Sequence, residues 1–227
     1  MSLKSFQPAV RFNNEKVDPD EINRYETYSI ACPMSQAVGT AYVGTAAANL
    51  SGSVSSFVIL NQALDYPRNL FMSIVNTAGS LNAGTVAVTG TDQFGQPQTE
   101  NIGYALGTAT QGIAGSKIFA SVTAATITFG TGQVQNGTPF LGVAGGTAAG
   151  TSVYRLGLPV RIGAATDVKS IAYAKNFVMQ AMNAGTPADL VSATTHSFTG
   201  TVVMGTADFF HVRILSTYNS ESDRVLA

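Results

Sequence analysis

Tyr66-Pro67-Arg68-Asn69-Leu70-Phe71-Met72-Ser73-Ile74-Val75 opens the stretch that decides the fold class, and the stretch runs on through Thr85-Val86-Ala87-Val88-Thr89 to Gln98-Thr99-Glu100-Asn101-Ile102. Leu70, Met72 and Ile74 alternate with Phe71, Ser73 and Val75, the two-residue period of a strand with two different faces. Asn76 to Ser80 breaks the run. Val86 and Val88 then point one way while Thr85, Ala87 and Thr89 point the other. Asp92-Gln93-Phe94-Gly95 reads as a turn, because an aspartate bonds its own backbone and a glycine accepts positive φ. Gln98, Glu100 and Ile102 alternate with Thr99 and Asn101 on the return strand. The spacing predicts a three-stranded antiparallel meander on which the rest of the chain packs.

Working outward, the fold class is all-β: an antiparallel β-sandwich or barrel-like meander with an N-terminal arm that carries one short helix. The arm is residues 1–28, where nine charged residues crowd together and hydrophobic periodicity is weak. Asp18-Pro19-Asp20-Glu21 is a helix-start signal, with Asp18 as cap, Pro19 at the first helical position and Glu21 closing a capping box, and the helix runs to about Tyr25. Phe6, Phe12, Tyr25 and Tyr28 are the anchors with which such an arm would clasp a partner; capping one end of the β-domain is the alternative. Residues 29–150 form a β-domain and residues 151–227 a second β-region packed with the first as one unit.

Within the β-domain, Tyr42-Val43 and the continuous run Phe57-Val58-Ile59-Leu60 are strands, the second expected to be buried on both sides. Gly103 to Gly115 reads as a flexible connection, followed by strands at Ile118 to Val122 and Thr126 to Phe129. Asn136-Gly137 suits a hairpin turn, and 138–151 is either a loop or a linker. Val153 to Ile162 is a strand that Pro159 places at an edge or bulge. Asp167 to Met182 is read as strand rather than helix. Phe209 to Leu215 is the last strand, with Phe210, Val212 and Ile214 on one face. Gly84 to Thr91 resembles Phe198 to Thr206, which biased composition explains as well as duplication does.

Composition narrows the function. Of the 227 residues, 45% are hydrophobic and only 11% charged, less than half of the roughly 25% usual in soluble domains. A surface so poor in ions is covered by Thr, Ser, Asn, Gln and Gly or hidden against other subunits, which points to assembly into a large particle. A net charge of -1 gives nucleic-acid binding no electrostatic footprint. No run reaches a membrane span, and Met1 to Pro8 lacks the apolar core of a signal peptide, so synthesis and assembly are expected in a host cytoplasm. The lone Cys32 excludes an intrachain disulfide and a cysteine zinc site and reads as a small buried hydrophobe.

Catalytic chemistry finds little to work with. His196 and His211 have no acidic neighbour at a ligand-like spacing and read as satisfied or surface histidines. Asp92 and Glu100, which could face each other as a glycosidase pair, read instead as a turn-former and a solvated strand residue. Arg155 and Arg161 with nearby Asp167 suggest an inter-strand or inter-subunit ion pair. No nucleophile elbow, zinc-helix motif, phosphate loop or dinucleotide fingerprint is present. The chain is expected not to be an enzyme and to use no cofactor or metal.

The hairpin segment Arg68-Asn69-Leu70 with Ala83 to Glu100, together with Gly157-Leu158-Pro159-Val160-Arg161, Asp167-Val168 and Thr199-Gly200-Thr201-Val202, resembles β-rich virion proteins of tailed bacteriophages. The resemblance implies a virion component and carries over no active-site residue. It implies a capsid decoration or cement protein that contacts the major capsid protein and copies of itself, with no direct nucleic-acid or membrane contact. A tail-tube or other tail protein is the alternative, and a carbohydrate-binding β-sandwich is a further one that the complete lack of Trp disfavours.

Overall fold

The computed structural model describes residues 24–31, 41–46, 54–76, 83–105, 111–131, 137–143, 154–175, 178–181, 190–200 and 208–216. These form β1 (Arg24–Ala31), β2 (Gly44–Thr45), β3 (Val54–Ser56), β4 (Val58–Ile59), β5 (Ala63–Asn76), β6 (Gly84–Thr91), β7 (Pro97–Tyr104) and β8 (Gln111–Thr128). There follow β9 (Gly137–Val143), β10 (Tyr154–Gly157), β11 (Val168–Lys175), β12 (Val178–Ala181), β13 (Val191–Ser192), β14 (Ser197–Gly200) and β15 (Phe209–Ser216). The fold is all-β and antiparallel, as the periodicity requires.

The β6–β7 hairpin forms in the expected place, from Thr91 opposite Pro97 to Gly84 opposite Tyr104. Its turn uses the expected chemistry: Asp92 Oδ1 accepts the Phe94 and Gln96 amides at 2.8 Å each, and Gly95 takes φ 76°. The strand beside it is not β5. β8, 18 residues long, lies between them, pairing with β5 from Gln111 to Ser121 and with β6 from Ser121 to Thr128. The simple meander is therefore corrected, because a two-residue period identifies a strand and its buried face but not its neighbour. The connection expected up to Gly115 and the two strands after it are in large part this one strand.

The remaining pairings close a ring. β3 pairs with β8, β4 with β2, β2 with β9, and β9 with β5, which returns to β8. β3 and β4 are one segment turning at Phe57, whose amide donates to Ala125 O at 2.9 Å while Leu60 N donates to Val43 O at 2.8 Å. The result is a small barrel, and closure removes free edges there. Its interior holds Phe57, Leu70, Met72, Ile74, Phe119 and Leu141. The β6–β7 hairpin continues the sheet beyond β8, and β10, β14 and β13 continue it from β5.

A second, four-stranded sheet has the order β1-β15-β11-β12. Phe210, Val212 and Ile214 bury one face of β15 as expected, and 167–182, read as strand, supplies β11 and β12. A second core gathers Phe210 with Tyr154, Tyr173, Phe198 and Phe71. Phe71 belongs to β5, whose opposite face fills the barrel, so β5 is buried on both sides and divides the two cores.

Several boundaries move. The helix expected to reach Tyr25 gives way at Arg24 to β1, paired with β15 from Arg24↔Ser216 to Ala31↔Phe209; the helix start at Asp18 lies outside the described residues. The arm's end at residue 28 thus falls inside a strand, because Tyr28 and Ile30 alternate with the exposed Thr27 and Ser29 in the two-residue period that a sheet edge accepts. Of the expected loop at 138–151, the part through Val143 is β9, and the rest, with the expected division near 150, lies outside the described residues. Asn136 also lies outside them, and Gly137 already belongs to β9. The Tyr42-Val43 strand is displaced by one pair, to Gly44–Thr45. The run Phe57 to Leu60 is not buried on both sides: Phe57 is 6% exposed, but Val58 is 65% and Leu60 55% exposed. An apolar run in a barrel wall still alternates, and only its inward half meets the core.

This difference is measurable. Phe57→Ala removes a core ring and should cost about 3–5 kcal/mol, lowering the melting temperature on the order of 10 °C. Val58→Ala should change stability by no more than about 0.5 kcal/mol. Equal losses in thermal denaturation would contradict the barrel wall described here.

Candidate functional site

Register aligns the outward residues of β3, β8, β6 and β7 in rows. Val54, Thr128, Thr85 and Gly103 form one row; Ser56, Thr126, Ala87 and Asn101 the next; Ala124, Thr89 and Thr99 a third. Between these rows lie Ile127, Val86 and Ile102, which face the core. No Asp, Glu, Lys or Arg stands in the three rows. Along one margin the β3–β4 segment carries an aliphatic ridge, Val54, Val58 and Leu60, each more than half exposed. Some hydroxyls are already engaged, as where Thr123 Oγ1 donates to Thr89 O at 3.2 Å. The three rows themselves carry no charged side chain, though Lys117 Nζ donates to Thr99 O at 2.6 Å beside the third row, and the inner residues of these strands are fixed by the core.

Beneath the hairpin lies a polar joint. Between Asn69↔Ile118 and Phe71↔Ala114, one residue of β5 faces three of β8, so Gly115, Ser116 and Lys117 bulge from the ladder. A bulge frees backbone groups that a buried site must satisfy. Glu100 Oε1 accepts Ser116 N at 2.6 Å, Ser116 Oγ at 2.9 Å and Lys117 N at 3.3 Å. Asn69 Nδ2 donates to Gly115 O at 2.8 Å, Arg155 Nη1 to Ser116 O at 3.2 Å, and Gln98 Nε2 to Ile118 O. Asn69 Oδ1 also accepts the Arg155 amide at 2.8 Å, which draws in β10. Glu100 Oε2 is buried with no hydrogen-bond partner among the described residues, and a Cβ on Gly115 would stand 2.6 Å from it.

A third cluster joins the hairpin tip to two C-terminal loops. His196 adopts φ 45°, a left-handed conformation that costs a residue with a Cβ about 1–3 kcal/mol. Its Nδ1 accepts the Ile162 amide at 3.3 Å, so Nε2 carries the proton of the neutral ring. Phe94 meets the imidazole edge-on at 5.5 Å, and the Arg161 guanidinium lies 4.7 Å from the centre of the Phe94 ring. Gln93 Nε2 donates to the Thr195 and His196 carbonyls at 3.1 Å each. Burial, then the Arg161 charge, lowers the imidazole pKa, against a smaller opposing pull from Asp92.

Phe6 and Phe12 lie outside the described residues, as does Cys32. Tyr25 is a β1 residue opposite Leu215. Tyr28 packs on the second core, and its hydroxyl donates to Glu26 Oε2 at 2.5 Å. Burial first, then that bond and the Glu26 charge, push its phenol up to about 12. Asp92 caps its own turn while Glu100 serves the bulge, so the two carboxylates do not act as a pair, and Glu100 is not a solvated residue. Its place on the face of Ile102 was the signal for burial. Asp167 accepts the Gly163 and Ala164 amides at 2.9 Å, Arg161 stacks on Phe94 and Arg155 serves the bulge, so the inter-strand form of the ion pair expected among these three does not occur within the chain. His211 Nδ1 shares a hydrogen bond with Ser29 Oγ at 2.9 Å. Among the described residues no group of three His, Cys, Asp or Glu could hold a metal ion, and no helix is long and apolar enough to cross a membrane.

No protein-family model, no curated protein and no solved structure matches the chain.

Two outcomes are expected from these joints. Glu100→Leu removes the acceptor of the Ser116 and Lys117 amides, which belong to exposed residues, at about 0.5–1.5 kcal/mol for each, and Gly115→Ala should destabilise by about 1–3 kcal/mol through overpacking; Glu100→Gln, which keeps an accepting oxygen, should lose less than Glu100→Leu in urea denaturation. For His196, the folded pKa lies below the unfolded value near 6.5. The unfolded chain then binds more protons, so this contribution is complete above about pH 6.5 and is lost as pH falls below it. Calorimetry from pH 7.5 to 5 should show a shallower decline in His196→Asn, which tolerates the left-handed backbone, than in the wild type or in His211→Asn; equal slopes would contradict the assignment.

Proposed function

We propose that the chain is a structural component of a tailed-bacteriophage virion, most specifically a decoration or cement protein that lies on the head and braces the major capsid protein. The observation that carries this reading is the outer face of β3, β8, β6 and β7, whose three rows hold no charged residue, with the Val54–Val58–Leu60 ridge along its margin. An apolar centre beside uncharged hydroxyl and amide groups is the composition of a protein contact surface, and three exposed aliphatics along one segment exceed the isolated apolar residues of an ordinary surface. Low overall charge supports the same reading, since a subunit held in a large particle does not need ions for solubility. β1, which follows the charged first residues of the sequence, lies at the edge of the four-stranded sheet. On a head surface, each contact is small and the repeated array supplies the avidity.

The test is immunolabelling of tailed particles made from the same genome, with antibody raised against the purified chain and viewed by negative-stain electron microscopy. Label on the heads is expected. Label confined to the tail would move the chain to the tail, and particles without label would overturn the virion assignment.

A further inference from the structure

We infer that the His196 turn is an acid-released catch, in which one proton on the imidazole frees the β6–β7 hairpin tip from the two C-terminal loops while both cores stay packed. The inference goes beyond the virion reading and does not depend on it.

The ring is the catch. Its Nδ1 accepts the amide of the buried Ile162 at 3.3 Å. A protonated imidazole carries hydrogens on both nitrogens, so Nδ1 would then point a second donor at that amide. The contact turns from a bond into a repulsion.

The backbone is what moves. His196 holds φ 45°, a left-handed conformation that a residue with a Cβ keeps only where its surroundings over-determine it. Gln93 Nε2 donates to both the Thr195 and the His196 carbonyl at 3.1 Å, and the His196 carbonyl also accepts the Leu158 amide at 2.7 Å. Relaxing φ rotates these two carbonyls relative to each other, so Gln93 cannot keep both. The ring bond, the Gln93 bridge and the strained turn therefore form one two-state element. Gln93, Phe94, Thr195 and His196 are all only half-buried, so the opening stays local.

Charge sets the direction. Arg161, on the loop after β10, opposes a proton on the ring, and Asp92 in the hairpin turn favours it. Asp92 Oδ1 is held by the Phe94 and Gln96 amides, and Asp167 Oδ2, farther along the Arg161 loop, by the Gly163 and Ala164 amides. Residues 193–197 contribute no other titratable side chain. Burial and the Arg161 charge outweigh Asp92 and hold the closed ring's pKa below its ordinary value, whereas an open turn leaves the ring near about 6.5. The open form thus binds the proton better, and it gains on the closed form as pH falls below about 6.5.

Amide hydrogen exchange of the full chain, followed by NMR at about pH 7.5 and about pH 5 and corrected for the intrinsic rates, reads the catch directly. In the wild type, the Leu158 and Ile162 amides should lose protection several-fold at the lower pH relative to the barrel amides of Phe57 and Val122. His196→Asn, which accepts the left-handed backbone and does not titrate, should show no such loss, and His211→Asn should behave as the wild type. Arg161→Gln removes the charge that opposes the ring proton and should show a smaller loss. Unchanged relative protection of Leu158 and Ile162 in the wild type overturns the inference without recourse to any variant. An equal loss in His196→Asn, or a loss shared by the barrel amides, overturns it as well.

Discussion

A bulge breaks a strand ladder and frees backbone groups that must be answered, and the architecture depends on that constraint at Gly115 to Lys117, where Gly115 is buried while Ser116 and Lys117 reach the surface. β8 stays paired with β5 on both sides of these residues, and the interruption of the ladder frees amides and carbonyls there. Side chains replace the missing strand: Glu100 and Gln98 from the hairpin, Asn69 from β5, Arg155 from β10. They come from three elements, β7, β5 and β10, so the bulge registers all three at once. At the buried Gly115 carbonyl, removing Asn69 leaves a desolvated backbone group, a larger loss than the net gain of the bond itself. A polar joint of this kind sets the relative position of strands more sharply than apolar contact, which is tolerant of sliding.

That fixed register is what makes the outer face possible. Inner residues Val86, Ile102 and Ile127 are held by the barrel core, so the residues between them are presented in straight rows. Their chemistry is then free of stability demands, and they carry hydroxyls, methyls and amides but no ions. The hairpin tip is fixed separately, by Phe94 between Arg161 and His196, where the strained His196 backbone is held by the Ile162 amide and by Gln93.

What could be read from sequence followed the range of the forces. The Asp92–Gly95 turn is local, and both its residues do what their types dictate. β15 was legible because Phe210, Val212 and Ile214 alternate without interruption. The insertion of β8 was not, since Gln111 to Lys117 has too few apolar residues for a period and strand order is set by distant pairing. The barrel closure was hidden for a related reason: Phe57 to Leu60 is apolar on both faces although only one meets the core. Glu100 was misread by residue type, although its position on the side of Ile102 and Tyr104 already placed it inward. The outer face itself left one trace, the low charge of the whole chain, and register was needed to show where that deficit is concentrated.

Hydrogen exchange at the Ser116 and Lys117 amides tests the joint most directly. If the bulge is a structural keystone, these two amides open only with the whole molecule, and their protection free energy equals that of barrel amides such as Phe57 and Val122. Exchange many orders of magnitude faster than in the barrel, with the barrel still protected, would mean that the bulge opens by itself and that the two cores are not held through it.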